Sequence, residues 1–366
     1  METSFEYVFP AIRGVQAGRE YYVSMCPLRL IPKIFLFDDE ELVPELRAQR
    51  ILNHARIPEM TRYLLENRED YVFSALTASI DGPLRFQPIG SEGESNRVGA
   101  IHVGMESRFI INDGQHRRKA IEEALRRDPS LADETIAVVF FLDRNLERCQ
   151  QMFADLNRYA VRPSRSLGLL YDHRNDMAQV AKLVAMQSES FKDVAELEKT
   201  TLSQRSRKLF TLSAIYTACC ALLGTENPES VEEATAVCKD YWDEVGKHIP
   251  EWRFVRESKM TAGEVRRDFV HSHSIVLQAL GEVGRRLIVA QEARDWRNRL
   301  KALDDLDWSR SNTRVWEGRA MTGGRIQKAS HNVTLTANLL KKRLGLDLTP
   351  EEQRAEDAFS RGEHAS

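Results

Sequence analysis

Apolar positions change their spacing partway along the chain. Up to about residue 166 they come in short runs broken by Pro, Gly and Asp, whereas beyond 167 they recur every three or four residues over long stretches. The first spacing predicts strands interleaved with helices, and the second a mostly helical region. Residues 5–37 read as strand material with turns: Tyr21, Tyr22 and Val23 are strand formers, and Pro27 and Pro32 bracket the apolar residues 28–31. An acidic stretch at 38–41 leads into a charged helical segment, 42–67, interrupted near Pro58. Further strands are expected at 71–80, 98–103, 108–111 and 134–142, the last being the most apolar. Residues 84–97, polar and Gly-containing, read as a mobile loop or a hairpin tip.

The stretch from Arg108 to Leu125 organises this half. An apolar strand turns at Asn112, Asp113 and Gly114, and the chain restarts in a helix whose first turn carries Gln115, His116, Arg117 and Arg118. Free N–H groups and cations at a helix start suit an anion, phosphate being the obvious candidate. Equally, Asp113 can cap the helix while the cations make surface pairs. The residues alone leave both readings standing. The helix has an apolar side of Ala120, Ile121, Ala124 and Leu125 and closes near Asp128, so the strand at 134–142 completes a strand-helix-strand unit. Asp143 is placed to cap the next helix, with its stripe of Leu146, Cys149, Phe153 and Leu156. That helix delivers Asn157, Arg158 and Arg162, with Arg165 close behind. These cations either complement the helix dipole or form a phosphate-facing patch.

In the helical half, residues 177–186 and 209–223 are apolar, and 200–208 combines hydroxyls with Arg205, Arg207 and Lys208. That composition suits contacts to backbone phosphates, or a solvated helix start. Ser230 with Glu233 and Thr261 with Glu264 have capping-box spacing, the second opening a helix expected to run through His271 and His273. Further on, Trp308 and Trp316 alternate with Arg310, Arg314 and Arg319, followed by Gly323, Gly324 and Arg325. Such a stretch can grip a sugar-phosphate chain with Trp stacking on it; alternatively the indoles are core anchors and the arginines lie over them.

At 366 residues the chain has room for two domains, expected at 1–166 and 167–366. Hydrophobic residues at 42% and charged residues at 29% are those of an ordinary soluble globular protein. A formal net charge of -3 gives no whole-molecule attraction to nucleic acid, so any such binding must come from local basic patches. The five cysteines lack paired metal-site spacing and are expected to be reduced core residues. No secretory-type succession opens the chain and no apolar run is long enough to span a bilayer, which makes the cytoplasm the expected location.

Asp113-Gly-Gln-His-Arg117 resembles the signature pentapeptide of the DGQHR-domain proteins. Phe9-Pro-Ala-Ile-Arg-Gly14, residues 49–58, 155–163, 209–215, 267–270 and 308–312 resemble the DndB family of DNA sulfur modification proteins, so the similarity spans nearly the whole chain. Members of that family accompany systems that replace a non-bridging oxygen of the DNA backbone with sulfur, and are held to bind DNA upstream of the modification genes and restrain their expression. The resemblance implies a mixed α/β, ParB/sulfiredoxin-like N-terminal domain with a mostly helical C-terminal domain. In that fold a strand-turn-helix element with a Gly and an Arg at the helix start contacts nucleotide phosphates, here Gly114, His116 and Arg117. The departures are a missing reactive Cys beside the arginine and the lack of a simple helix-turn-helix signature.

The expectation is therefore a DNA-binding transcriptional regulator, a repressor, of the phosphorothioate modification genes. Phosphate or nucleotide would be held by Gly114, Gln115, His116, Arg117, Arg118, Asn157, Arg158 and Arg162, and DNA by Arg205, Arg207, Lys208, Arg310, Arg314, Arg319 and Arg325. The alternative is a nucleotide-binding phosphohydrolase (ATPase) or DNA-nicking enzyme using ATP with Mg2+. Asp113 would position the metal, His116 act as base or acid, and Arg117 neutralise charge on phosphorus, with Asp143 and Asp155 as further acids. No Walker-type loop accompanies them. Expected partners are double-stranded DNA, other DNA sulfur modification proteins and further copies of the chain; no membrane is expected.

Overall fold

Seven of the strand-like runs pair into one mixed sheet: β1 (Glu6–Gln16), β2 (Arg19–Pro27), β3 (Leu76–Asp81), β4 (Leu84–Pro88), β5 (Val98–Gly104), β6 (Arg108–Asp113) and β7 (Thr135–Leu142). The computed structural model describes residues 5–35, 56–142, 146–158, 163–224, 228–289 and 295–362. The chain divides into two units, Met1–Val161 and Arg162–Ser366. The sheet belongs to the first.

Its strand order is β4-β5-β1-β2-β7-β3-β6, and every pairing is antiparallel except β3 with β7. β1 and β2 are joined by a two-residue turn, Ala17 and Gly18, both at positive φ (49° and 74°), the geometry that matches strand twist in a tight hairpin. β3 runs into β4 across Gly82 and Pro83, and β5 into β6 across residues 105–107. The two ends of the strand order are thus one bent ribbon, and the sheet curls back on itself. The bend needs a glycine: a Cβ at Gly82 would lie 2.6 Å from the Ser107 Cβ.

Helices α1 (Arg56–Glu66) and α2 (Gln115–Arg127) pack against each other. Leu64 and the predicted side of α2, Ile121 and Ala124, join the sheet's inner residues in one core. At its centre Phe140 meets Phe9 and Phe109, each with ring centroids 5.9 Å away. Such a buried ring contributes about 3 kcal/mol by area. A third helix, α3 (Leu146–Arg158), follows β7.

Several sequence expectations are revised here. The strand expected from residue 71 begins only at Leu76, because the Ser74 and Ala75 carbonyls accept hydrogen bonds from Arg117 and are lost to the ladder. Of the two readings of residues 84–97, the hairpin is the one found, and its first arm is already β4, whose five residues pair with β5. α2 does connect β6 to β7, but β3 lies between them and the two run antiparallel, so the unit is not a parallel crossover. Asp143 and most of the segment expected at 42–67 lie outside the described residues.

The second unit is helical: α4 (Arg165–Tyr171), α5 (Asp176–Gln187), α6 (Leu212–Leu223), α7 (Val231–Lys247), α8 (Pro250–Arg256), α9 (Ala262–Asp268), α10 (Ser274–Gly284), α11 (Ser330–Arg343) and α12 (Pro350–Ser360). α10, buried along most of its length, packs on α6 and α11 and forms the axis of this core. Trp242 and Trp252 lie around Phe191, and Trp308 stacks on Trp316 with centroids 5.3 Å apart. Both of the last two are buried, which settles them as core anchors. Thr261 and Glu264 form a reciprocal capping box, while Ser230 accepts from the Glu233 N–H with no return bond. α9 ends at Asp268, so His271 and His273 lie beyond it and not on a common helix. Cys26, Cys219 and Cys238 are buried free thiols and Cys220 is partly buried. Among the described residues no helix is long and apolar enough to cross a membrane.

Candidate functional site

The pentapeptide forms the predicted strand-turn-helix junction. Asp113 ends β6, and Gly114 is the N-cap of α2 at φ 108°, in the left-handed region where a side chain is strained. A Cβ there would come within 2.3 Å of Leu76 Cδ2. The close approach that Gly114 permits is therefore to β3. No side chain caps the helix, so Asp113 is not its cap. Its carboxylate instead accepts from Arg117 Nη2 at 2.5 Å.

Arg117 turns back into the protein. Its Nη1 donates to the Ser74 carbonyl at 2.7 Å, the Ala75 carbonyl at 2.8 Å and the Ser74 hydroxyl. Arg118 is buried, donating from Nε to the Phe35 carbonyl (3.0 Å), from Nη2 to the Pro32 carbonyl (3.1 Å) and from Nη1 to Glu122. Burial pulls the Arg118 pKa down, with Glu122 pulling the other way. Gln115, also buried, donates to the Ile111 carbonyl at 3.3 Å. His116 is half-buried in the first turn. Beneath the junction the buried Asn112 donates to Ser79 Oγ at 2.7 Å. The junction binds its own strands, with both guanidiniums spent on carbonyls and carboxylates of the same unit.

Arg158 is exposed at the end of α3; Arg162 and the Asn157 side chain lie outside what is described. Asp113, the residue expected to position a metal, has its Oδ2 held by the Arg117 guanidinium. Asp155, exposed on α3, accepts from Gln151. Among the described residues no three His, Cys, Asp or Glu side chains converge to hold a metal ion.

The helical unit disposes of its cations differently. Arg205, Arg207, Arg314 and Arg325 are exposed and make no hydrogen bond or ion pair with the described residues. Arg319, by contrast, forms a two-pronged pair with Glu356 (2.7 and 2.8 Å) beneath the Phe359 ring, tying α12 to the core. Lys208 donates to the Asp193 carbonyl at 3.0 Å. Two further arginines act as scaffolds. Arg266 gathers the carbonyls of Ser203 (2.6 Å), Ser206 (3.3 Å) and Lys208, shaping the loop that displays Arg205 and Arg207. Arg310 bridges the Arg267 carbonyl (3.1 Å) and the Gly324 carbonyl (2.9 Å), fixing the small hairpin that carries Arg325.

Between these two loops opens a cavity of about 600 Å³. Arg165, Arg266, Arg267, Arg310 and Lys328 line it together with several Ser and Thr hydroxyls, and no Asp or Glu among the described residues is in its wall. Arg267 is neutralised by Asp268 at 2.8 Å. The others have no carboxylate partner among the described residues. Partial desolvation, and to a lesser extent the nearby Arg165 charge, lower the Lys328 pKa, although the residue as a whole remains exposed. The sequence had marked Arg310, the loop 200–208 and the cations up to Lys328, but had given Ser272 and His273 no ligand-facing role. The available signal was three cations in 205–208 with no acid beside them.

The chain thus combines a curled mixed sheet with a helical unit whose cavity is lined by cations and, among the described residues, by no carboxylate. The chain belongs to the DndB family, described as DNA-sulfur modification-associated, which matches residues 9–347. No curated protein and no solved structure matches it.

Proposed function

We propose that the protein is a duplex-DNA-binding regulator of the DNA phosphorothioate modification genes, acting alongside other proteins of that system. The observation that carries the reading is the set of exposed arginines without partners among the described residues, Arg205, Arg207 and Arg325 on internally braced loops and Arg314 on a short helix. Phosphate contacts of this kind supply affinity and register on a duplex without reading its sequence. Family membership supplies the process in which the DNA contact operates. The same reading takes the α/β unit as ParB/sulfiredoxin-like, supported by its strand-glycine-helix junction, and gives that unit a bracing role toward its own strands.

The test is duplex binding to the region upstream of the modification genes as a function of salt. Replacing Arg205, Arg207 and Arg325 together by Gln is expected to flatten the log Kd against log salt slope by about 2.7, from roughly 0.9 per phosphate contact. An unchanged slope removes these arginines from the interface. Absence of duplex binding at low salt removes the function.

A further inference from the structure

The cavity of the helical unit has features that a flat duplex contact does not need. Its volume, about 600 Å³, is that of a small-ligand site. The amino end of α10 opens into it: Ser274 lines the wall, and the N-cap residue His273 gives the helix no side-chain cap, its Nε2 being engaged with the Arg266 carbonyl at 2.9 Å. First-turn N–H groups left uncapped in this way attract an anion. Ser272 provides a second, independent sign. It is 5% exposed, it lines the cavity, and its hydroxyl has no hydrogen-bond partner. A buried hydroxyl left unpaired is costly, and an arriving acceptor relieves it. Around these groups stand Arg165, Arg266, Arg310 and Lys328, none paired with a carboxylate among the described residues.

We propose that this cavity binds the phosphate group of a nucleotide, received by Ser272, Ser274 and the amino end of α10 inside the ring formed by Arg165, Arg266, Arg310 and Lys328. The site goes beyond the duplex contact, because a cavity of this size admits one nucleotide and no double helix. Two sources present that chemistry: a free mononucleotide and the 5′-phosphorylated end of a strand.

Calorimetric titration of the full chain distinguishes them. The probes are inorganic phosphate, deoxyadenosine 5′-monophosphate, deoxyadenosine, and a short single-stranded oligonucleotide with and without a 5′-phosphate. Binding of the monophosphate but not of deoxyadenosine is expected. A preference for the phosphorylated oligonucleotide over the free nucleotide assigns a strand end, and the converse assigns a free ligand. Ser272→Ala removes an unpartnered hydroxyl, so it leaves the thermal midpoint of the free protein unchanged or raised while weakening monophosphate binding about tenfold. Lys328→Gln, at a side chain with no bonded partner, weakens binding in the same direction. Equal affinity for deoxyadenosine and its monophosphate, no binding of any phosphorylated probe, or wild-type affinity in both variants overturns the proposal. Those outcomes leave the duplex reading standing if the salt slope still depends on Arg205 and Arg207. Loss of duplex binding with retained monophosphate binding does the reverse.

Discussion

Replacing Arg117 by Gln separates a guanidinium that braces the fold from one that holds a ligand. Its side chain is only 13% exposed and its donors go to Asp113, Ser74 and Ala75. The Ala75 bond, partly buried and to a charged donor, is worth about 1.5 kcal/mol, the more exposed Ser74 bond about 1, and the half-exposed Asp113 pair about 0.5. The sum is about 3 kcal/mol. With a urea slope of about 2 kcal/mol per molar, the midpoint of the α/β unit falls by about 1.5 M. All five tryptophans lie in the helical unit, at 242, 252, 296, 308 and 316, so their fluorescence follows that unit alone. Near-ultraviolet tyrosine dichroism follows the α/β unit as well. The expected result is an earlier tyrosine transition, an unshifted tryptophan transition, and unchanged duplex affinity under native conditions. A variant with the wild-type tyrosine midpoint and lost duplex or nucleotide affinity would refute the reasoning and return the motif to phosphate binding.

Gly114→Ala places a methyl group 2.3 Å from Leu76 Cδ2 at a positive φ, and is expected to cost the same unit about 2–4 kcal/mol by denaturant titration. Arg319→Met leaves Glu356, 4% exposed, without its strongest partner, so the helical unit should lose about 3–5 kcal/mol while duplex affinity of the folded protein holds. The third concerns acid. His273 is held neutral, its pKa lowered to about 4 mainly by burial, with Arg310, His271 and Arg266 adding repulsion against the Arg266 carbonyl bond. Unfolded, it binds its proton near pH 6.5, so between pH 6.5 and 4 only the unfolded chain is protonated and stability falls as pH falls, by up to about 3 kcal/mol. Tryptophan-monitored urea midpoints at pH 7 and 4.5 measure it; a difference that His273→Asn leaves undiminished assigns the loss elsewhere.

Short runs of apolar, aromatic and β-branched residues were enough to place β2, β5 and β7, and in the fold each buries alternate residues along its length. β4 was hidden by Pro88 and the glycines after it, which look like loop residues until their pairing with β5 is known. The junction itself was legible as strand, turn and helix. What its cations do was not, since Arg117 is answered by residues 74 and 75 and Arg118 by Pro32 and Phe35, from 42 to 86 positions away. Trp308 and Trp316 were ambiguous for a similar reason: indoles flanked by arginine read the same whether they stack on a base or on each other. The cavity could not be read from spacing at all, because Arg165, Arg266, Ser272 and Lys328 come from separate segments and only the tertiary fold gathers them.

The bent ribbon of β3 to β6 bears on the order in which the α/β unit assembles. Residues 76–113 pair among themselves, as do β1 and β2, so both pieces can zip from local turns. β1 joins the two pieces by pairing with β5, and β7 fills the remaining gap, lying antiparallel to β2 and parallel to β3, with its partners in β2 more than a hundred residues away. Closure by β7 is then the slow, high-contact-order step. Until the chain has been made as far as Leu142, the two ribbons have unsatisfied edges that a chaperone or another nascent chain can reach.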